Sequence, residues 1–173
     1  MENYLFFIII VLVVLAVIDL MVGVSNDAVN FLNSALGSKA ISFKTVMIVA
    51  SLGILCGAVF SSGMMEIARS GIFVPAQFSF MDVMVIFLAV MVTDVILLDL
   101  FNYFGLPTST TVSIVFELLG AAVSLAIYKI VSIDASWSTL PDYINTEKAS
   151  GIVVSILLSV AISFSVGMLV QYI

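Results

Sequence analysis

An all-α, polytopic membrane helix bundle of about five spans is the architecture to expect of this chain. Three observations lead there. Hydrophobic residues make up 63% of the sequence and charged residues only 9%, whereas a soluble domain is roughly a quarter charged and about half apolar. The mean hydropathy is +1.33, so lipid is the natural solvent. The apolar residues fall into five stretches of about span length, and 173 residues leave room for these, short loops and no separate soluble domain. The expected organisation is a single transmembrane domain over 1–173.

The first stretch runs from Tyr4 to about Val24, broken only by Asp19. No basic residue precedes it, which argues against a cleaved signal peptide and for a span that stays. The second, about Val46 to Met65, is uncharged and carries Gly53 and Gly57 at the spacing of a helix-packing pair. The third, about Val83 to Phe101, contains Asp94 and Asp99. The fourth follows Pro107 and reaches about Val131, with Glu117 near its middle and a second small pair, Gly120 and Ser124. The fifth, Gly151 to Ile173, is uncharged. Each should be helical, because an open strand leaves backbone groups unpaired in lipid. Between them lie a mixed segment at 25–45, a loop at 66–82, a short turn at 102–106 and a polar loop at 132–149 that includes Asp134. Glu66 and Arg69 are spaced for a surface ion pair of little energetic weight.

Composition excludes several kinds of chemistry. Eleven acids face five bases, which makes a phosphate-backbone-binding surface, and so a nucleic-acid partner, unsuitable. There is no His and a single Cys, Cys56, which removes zinc centres, Cys/His nucleophile pairs and intrachain disulfides. No catalytic residue and no cofactor is expected. Orientation is left open: with alternating spans, Lys39 and Lys44 share one side, and Arg69, Lys129 and Lys148 the other.

Two polar stretches interrupt the apolar runs. In the first, Ser25, Asn26, Asp27, Asn30, Asn33 and Ser34 appear within ten positions. Gly23 is placed to break the incoming helix, with Ser25 or Asn26 as the cap of a new one. Asn26, Asn30 and Asn33 then share one face, and Asp27 and Asn30 lie close enough to share a ligand. In the second, Pro107 at a first helical position is followed by Thr108, Ser109, Thr110 and Thr111. These hydroxyls surround free N–H groups at the positive end of a helix dipole, a setting for an oxyanion that needs no Lys or Arg. Paired interrupted helices that aim their N-termini at an anion are a known transporter design. A carboxylate such as Asp27 beside an oxyanion is repulsive unless a cation lies between them, so the pair suggests cation-coupled anion uptake.

On these residues the sequence resembles the PiT family of inorganic phosphate transporters. The resemblance rests on Ser25-Asn26-Asp27-Ala28-Val29-Asn30, then Gly37-Ser38-Lys39-Ala40, then Gly105-Leu106-Pro107-Thr108-Ser109-Thr110-Thr111. It implies a multi-pass cell-membrane symporter of inorganic phosphate. Asn26, Asp27, Ser109, Thr110 and Thr111 would bind substrate, and Asp27 with Asn30 would line the cation site. Asp19 and Asp94 are further cation candidates, because an acid inside a span is costly unless it has a function. Glu117 is a possible intramembrane acid on the same ground. Val112 stands where the family has His, which favours sodium over proton coupling.

Only one copy of each motif is present, whereas the family builds its site from two inverted halves. The expectation is therefore an amino-terminal half that ends short of the natural terminus. Its partners would be lipid, phosphate, sodium and a second repeat half, or a second copy of the chain. Sulfate or another oxyanion on the same scaffold, and a non-transporting packing subunit, are the competing readings.

Overall fold

The computed structural model describes residues 2–66, 71–133 and 136–172. Arg69 and Asp134 lie outside the described residues, so the expected Glu66–Arg69 pair does as well. The described chain is helical: α1 Glu2–Ser38, α2 Phe43–Val59, α3 Ser62–Glu66, α4 Phe80–Phe104, α5 Thr110–Ser132, α6 Leu140–Tyr143 and α7 Thr146–Tyr172. Four helices are long and apolar enough to cross a membrane, within α1, α4, α5 and α7; α2 is a shorter apolar helix. The expected second span is thus replaced by 17 helical residues, about 25 Å, that stop at Val59, before a separate turn of helix over Ser62–Glu66.

Local chemistry sets most boundaries. Ser42 caps α2 by accepting from the Thr45 N–H. Ser79 and Asp82 form a reciprocal capping box at the start of α4. At the other end of α4, Gly105 adopts φ +66°, a left-handed conformation that costs an L side chain about 1–2 kcal/mol. Around it the Gly105 N–H reaches Asn102 O at 3.1 Å and the Leu106 N–H reaches Phe101 O at 2.9 Å. This two-bond closure satisfies carbonyls that a helix end leaves open.

The core lies where α4 and α5 run side by side. Ile86 and Val90 pack with Val115, Leu118, Ala122 and Ala126, and both alanines are fully buried. Small side chains at this i, i+4 spacing let the two helix backbones approach. The small-residue pairs singled out from sequence do something else: a Cβ at Gly53, Gly57 or Gly120 would meet nothing within 4 Å. The antiparallel register is fixed at one end by the Lys129–Asp82 ion pair, with the Lys129 ammonium 5.5 Å from the Phe78 ring centre.

Beyond that end, segment 71–74 bonds to 143–145. The Val74 N–H reaches Tyr143 O and the Asn145 N–H reaches Ile72 O, each at 2.9 Å, and Phe73, Phe78 and Ile144 close over the bundle. The segment read as a polar loop is therefore partly folded, with a 3₁₀ turn at Trp137–Thr139 and α6 inside it. α7 has no fully buried residue; Ile152 and Ile156 pack against the core, while most of its other apolar side chains are exposed.

Candidate functional site

The first polar stretch does not break its helix. α1 is continuous for 37 residues, about 55 Å, through Gly23 and the Asn26–Asn30 segment. Gly23 is buried, and a Cβ there would lie 3.6 Å from Leu98 and 3.7 Å from Thr110. It is a close-approach glycine rather than a hinge. An interior Gly costs only about 1 kcal/mol relative to Ala, which the packing of α1 against α4 offsets. The expectation of a second helix N-terminus at Ser25 or Asn26 is corrected accordingly.

The second stretch does interrupt the chain, between Phe104 and Thr110. Helix α5 begins later than Pro107 suggests. Ser109 is its cap, with its Oγ accepting the Val112 N–H at 3.4 Å and its carbonyl accepting the Ser113 N–H at 3.0 Å. Pro107 and Thr108 belong to the linker.

The two stretches meet. Asn26, only 3% exposed, donates to Asn102 Oδ1 at 2.8 Å and more weakly to Leu106 O at 3.4 Å. Its own Oδ1 accepts the Thr108 N–H at 3.1 Å. Asn102 in turn donates to Val22 O at 3.2 Å, and Asn30 donates to Thr108 O at 3.0 Å. Three amide side chains thus clamp the α4–α5 linker onto the side of α1 and set where the α5 N-terminus points. Sequence reasoning missed Asn102. A polar residue one turn before a helix-ending Gly was the available signal, and it reads equally well as an exposed helix end.

One turn further along, the Thr110 hydroxyl donates to Asp27 Oδ2 at 3.1 Å. Both line a cavity of about 170 Å³ shared with Asp19, Gly23, Asp94 and Leu98. Three expected acids, Asp19, Asp27 and Asp94, are therefore gathered around one space from helices α1 and α4. Thr111 and Ser109 stand exposed on the outer side of the first turn. Asn30 is exposed as well and faces the linker backbone.

Glu117 sits deeper in α5. Its Oε1 accepts the Ser113 hydroxyl at 3.0 Å, and it also lines a larger, mostly apolar cavity of about 510 Å³ between α4 and α5. Its carboxyl, with those of Asp19 and Asp94 and the Ser113 hydroxyl, makes one interior cluster. Asp99 lies on the exposed side of α4, away from it. One oxygen on each of Asp19, Asp94 and Glu117 is buried without a hydrogen-bond partner. Among the described residues, no group of three or more His, Cys, Asp or Glu side chains is arranged to hold a metal ion in the manner of a metal centre.

A helix bundle with apolar spans, a polar turn held against a neighbouring span and acids in its interior is a multi-pass membrane protein. More specifically, the chain belongs to the phosphate transporter family, whose sequence profile matches residues 23–173. It is 33% identical over 110 residues to a Thermococcus kodakarensis protein named "putative phosphate permease", covering 62% of this chain and 27% of that one. It is 34% identical over 125 residues to a Pyrococcus abyssi protein of the same description, covering 68% of this chain and 31% of the relative. The matched part thus spans less than a third of either relative's length. No solved structure matches the chain at a significant level.

Proposed function

We propose that this chain is one repeat of a cation-coupled inorganic phosphate symporter, with sodium favoured as the coupling ion. Family membership and the two permease relatives support phosphate as the cargo. The single observation that carries the reading at atomic level is the Thr110–Asp27 contact, which brings the first turn of α5 and a carboxylate side by side on the lining of one cavity. The first-turn N–H groups of α5 that Ser109 leaves open, and the Thr110 hydroxyl once it turns from Asp27, are donors for phosphate oxygens. Asp27 accepts the proton that a singly or doubly protonated phosphate still carries. Sulfate has no such proton at neutral pH, so the same wall repels it.

In this reading Asn26 and Asn30 act mainly by positioning, because their amides are spent on the linker that aims α5. Asp27 takes part in both substrate and cation binding, and Ser109 and Thr111 contribute from the outer face of the tip. The missing walls come from a second repeat, carried by a longer chain or a second copy. Transport is then alternating access of the two repeats around the shared site, and the cargo leaves chemically unchanged.

The test is radiolabelled phosphate uptake into proteoliposomes, using this chain extended by its downstream reading frame, with and without an inward sodium gradient. Sodium-stimulated uptake that excess sulfate does not compete supports the reading. Uptake of sulfate in place of phosphate overturns the substrate, and failure to move any oxyanion favours a packing subunit.

A further inference from the structure

One motif of the sequence takes no part in the site described above. Gly37-Ser38-Lys39-Ala40 ends α1, and the chain turns through Ile41 and Ser42 into α2. Lys39 takes φ +54°, the left-handed position that ends many helices and that glycine or asparagine usually fills. The Ala40 N–H reaches Ser38 Oγ at 3.4 Å, and Ser42 caps α2. Two lysines, Lys39 and Lys44, thus bracket two apolar side chains, Ile41 and Phe43. All four are exposed, Ile41 by 52% and Phe43 by 65%.

Charge sets this turn apart from the other end of the bundle. α1 and α4 run in the same direction, with Gly23 beside Leu98 and Asn26 bonded to Asn102, so the turn lies at the end where α5 begins. No Asp or Glu occurs between Asp27 and Glu66, and among the described residues neither Lys39 nor Lys44 has an acidic partner. At the opposite end Lys129 is paired with Asp82, and Lys148 follows Glu147 in the first turn of α7. We propose that the α1–α2 turn is a docking surface for anionic phospholipid, with Lys39 and Lys44 on the headgroup phosphates and Ile41 and Phe43 in the acyl layer beneath.

Three features select this occupant. α2 carries no charge after Lys44, and of its residues only Val46 is buried. The apolar surface of Ile41 and Phe43 therefore runs on into a helix that the described chain leaves uncovered, and the turn stands where a bilayer boundary belongs. A lysine at that level lays its methylenes along acyl chains and keeps its ammonium among the headgroups. Each lysine close to an anionic surface adds about a fivefold preference over a neutral one. A second copy of the chain seated here by two-fold symmetry would set lysine against lysine. A dissolved phosphate ion would meet the lysines but leave Ile41 and Phe43 in water, at the cost of their exposed apolar area. A phospholipid with net negative charge serves all four side chains at once.

The test titrates the detergent-solubilised full chain with phosphatidylglycerol or phosphatidylcholine and measures bound lipid by native mass spectrometry. Phosphatidylglycerol is expected to bind the more tightly, with a preference that fades as ionic strength rises. Lys39→Gln and Lys44→Gln should each cost about fivefold in phosphatidylglycerol affinity and leave phosphatidylcholine binding unchanged. The double change Lys39→Arg with Lys44→Arg should keep the preference, which separates lost charge from misfolding, and Lys148→Gln should keep it too. A wild-type chain that does not distinguish the two lipids overturns the proposal, as does a preference that survives loss of both lysines or falls equally in Lys148→Gln. Displacement of the lipid by inorganic phosphate beyond that by chloride at equal ionic strength also overturns it, and would assign the lysines to the dissolved ion. The assay involves no transport, so an extended chain that moves no phosphate leaves this lipid surface standing.

Discussion

Two polar clusters lie within two turns of each other on α1, and they are built on opposite principles. In the amide clamp of Asn26, Asn30 and Asn102, the side-chain amides bond to backbone groups of the α4–α5 linker, to the Val22 carbonyl of α1 or to one another. In the acid pocket of Asp19, Asp94 and Glu117, each side chain keeps a buried oxygen with nothing to bond to. A satisfied buried network stabilises and fixes geometry, while an unsatisfied one is a cost tolerated for another reason. The clamp fixes geometry, whereas the pocket gathers acids whose burial costs stability.

The sharpest way to break this contrast is to remove a clamp residue. Asn26→Leu leaves the Thr108 N–H and Asn102 Oδ1 without their partner, and each orphaned group costs about 1–3 kcal/mol. A loss of about 3 kcal/mol in unfolding free energy is expected, measured by denaturant titration in mixed micelles. Asn102→Leu removes the bonds to Asn26 and Val22 together and should cost about 2 kcal/mol. It should also reduce the sodium-driven phosphate uptake of the extended chain, although Asn102 does not line the Asp27 cavity.

The pocket should respond in the opposite direction. Asp94→Leu removes a buried, uncompensated acid, and in sodium-free buffer it should raise stability by about 1 kcal/mol. If it destabilises as Asn26→Leu does, the two clusters are of one kind and the contrast fails. A smaller effect, about 1 kcal/mol of destabilisation, is expected for Gly105→Ala. Its Cβ would meet open space, so the backbone conformation at φ +66° is the whole cost. Finding no loss there would mean that the linker can relax, and that the amide clamp, not Gly105, sets its path.

Composition and hydropathy made the membrane class and the positions of the four long helices legible, because a span in lipid must be both apolar and helical over a length set by the bilayer. The motifs likewise marked Asn26, Asp27, Asn30 and the hydroxyl run near Thr110 as special, since polar residues inside an apolar run have no bland place to go. The error at Gly23 came from the same local reasoning. Glycine weakens a helix by too little to end one, and whether α1 continues was decided by Leu98 and Thr110 lying close against that bare Cα. The start of α5 slipped for a similar reason: Pro107 permits a helix start, but Asn26 and Asn30 hold Thr108 in the linker.

Asp19, Asp94 and Glu117 were each visible in sequence as acids within spans, yet nothing in their spacing said that they share an interior. They sit on three different helices, and side chains so far apart along the chain meet only through the packing of α1, α4 and α5. The sequence by itself determined that this protein lives in a membrane and which side chains are too polar to be there without cause. Only the tertiary structure decided which of them satisfy one another and which keep a buried oxygen without a hydrogen-bond donor, because hydrogen-bond satisfaction is a property of neighbours in space.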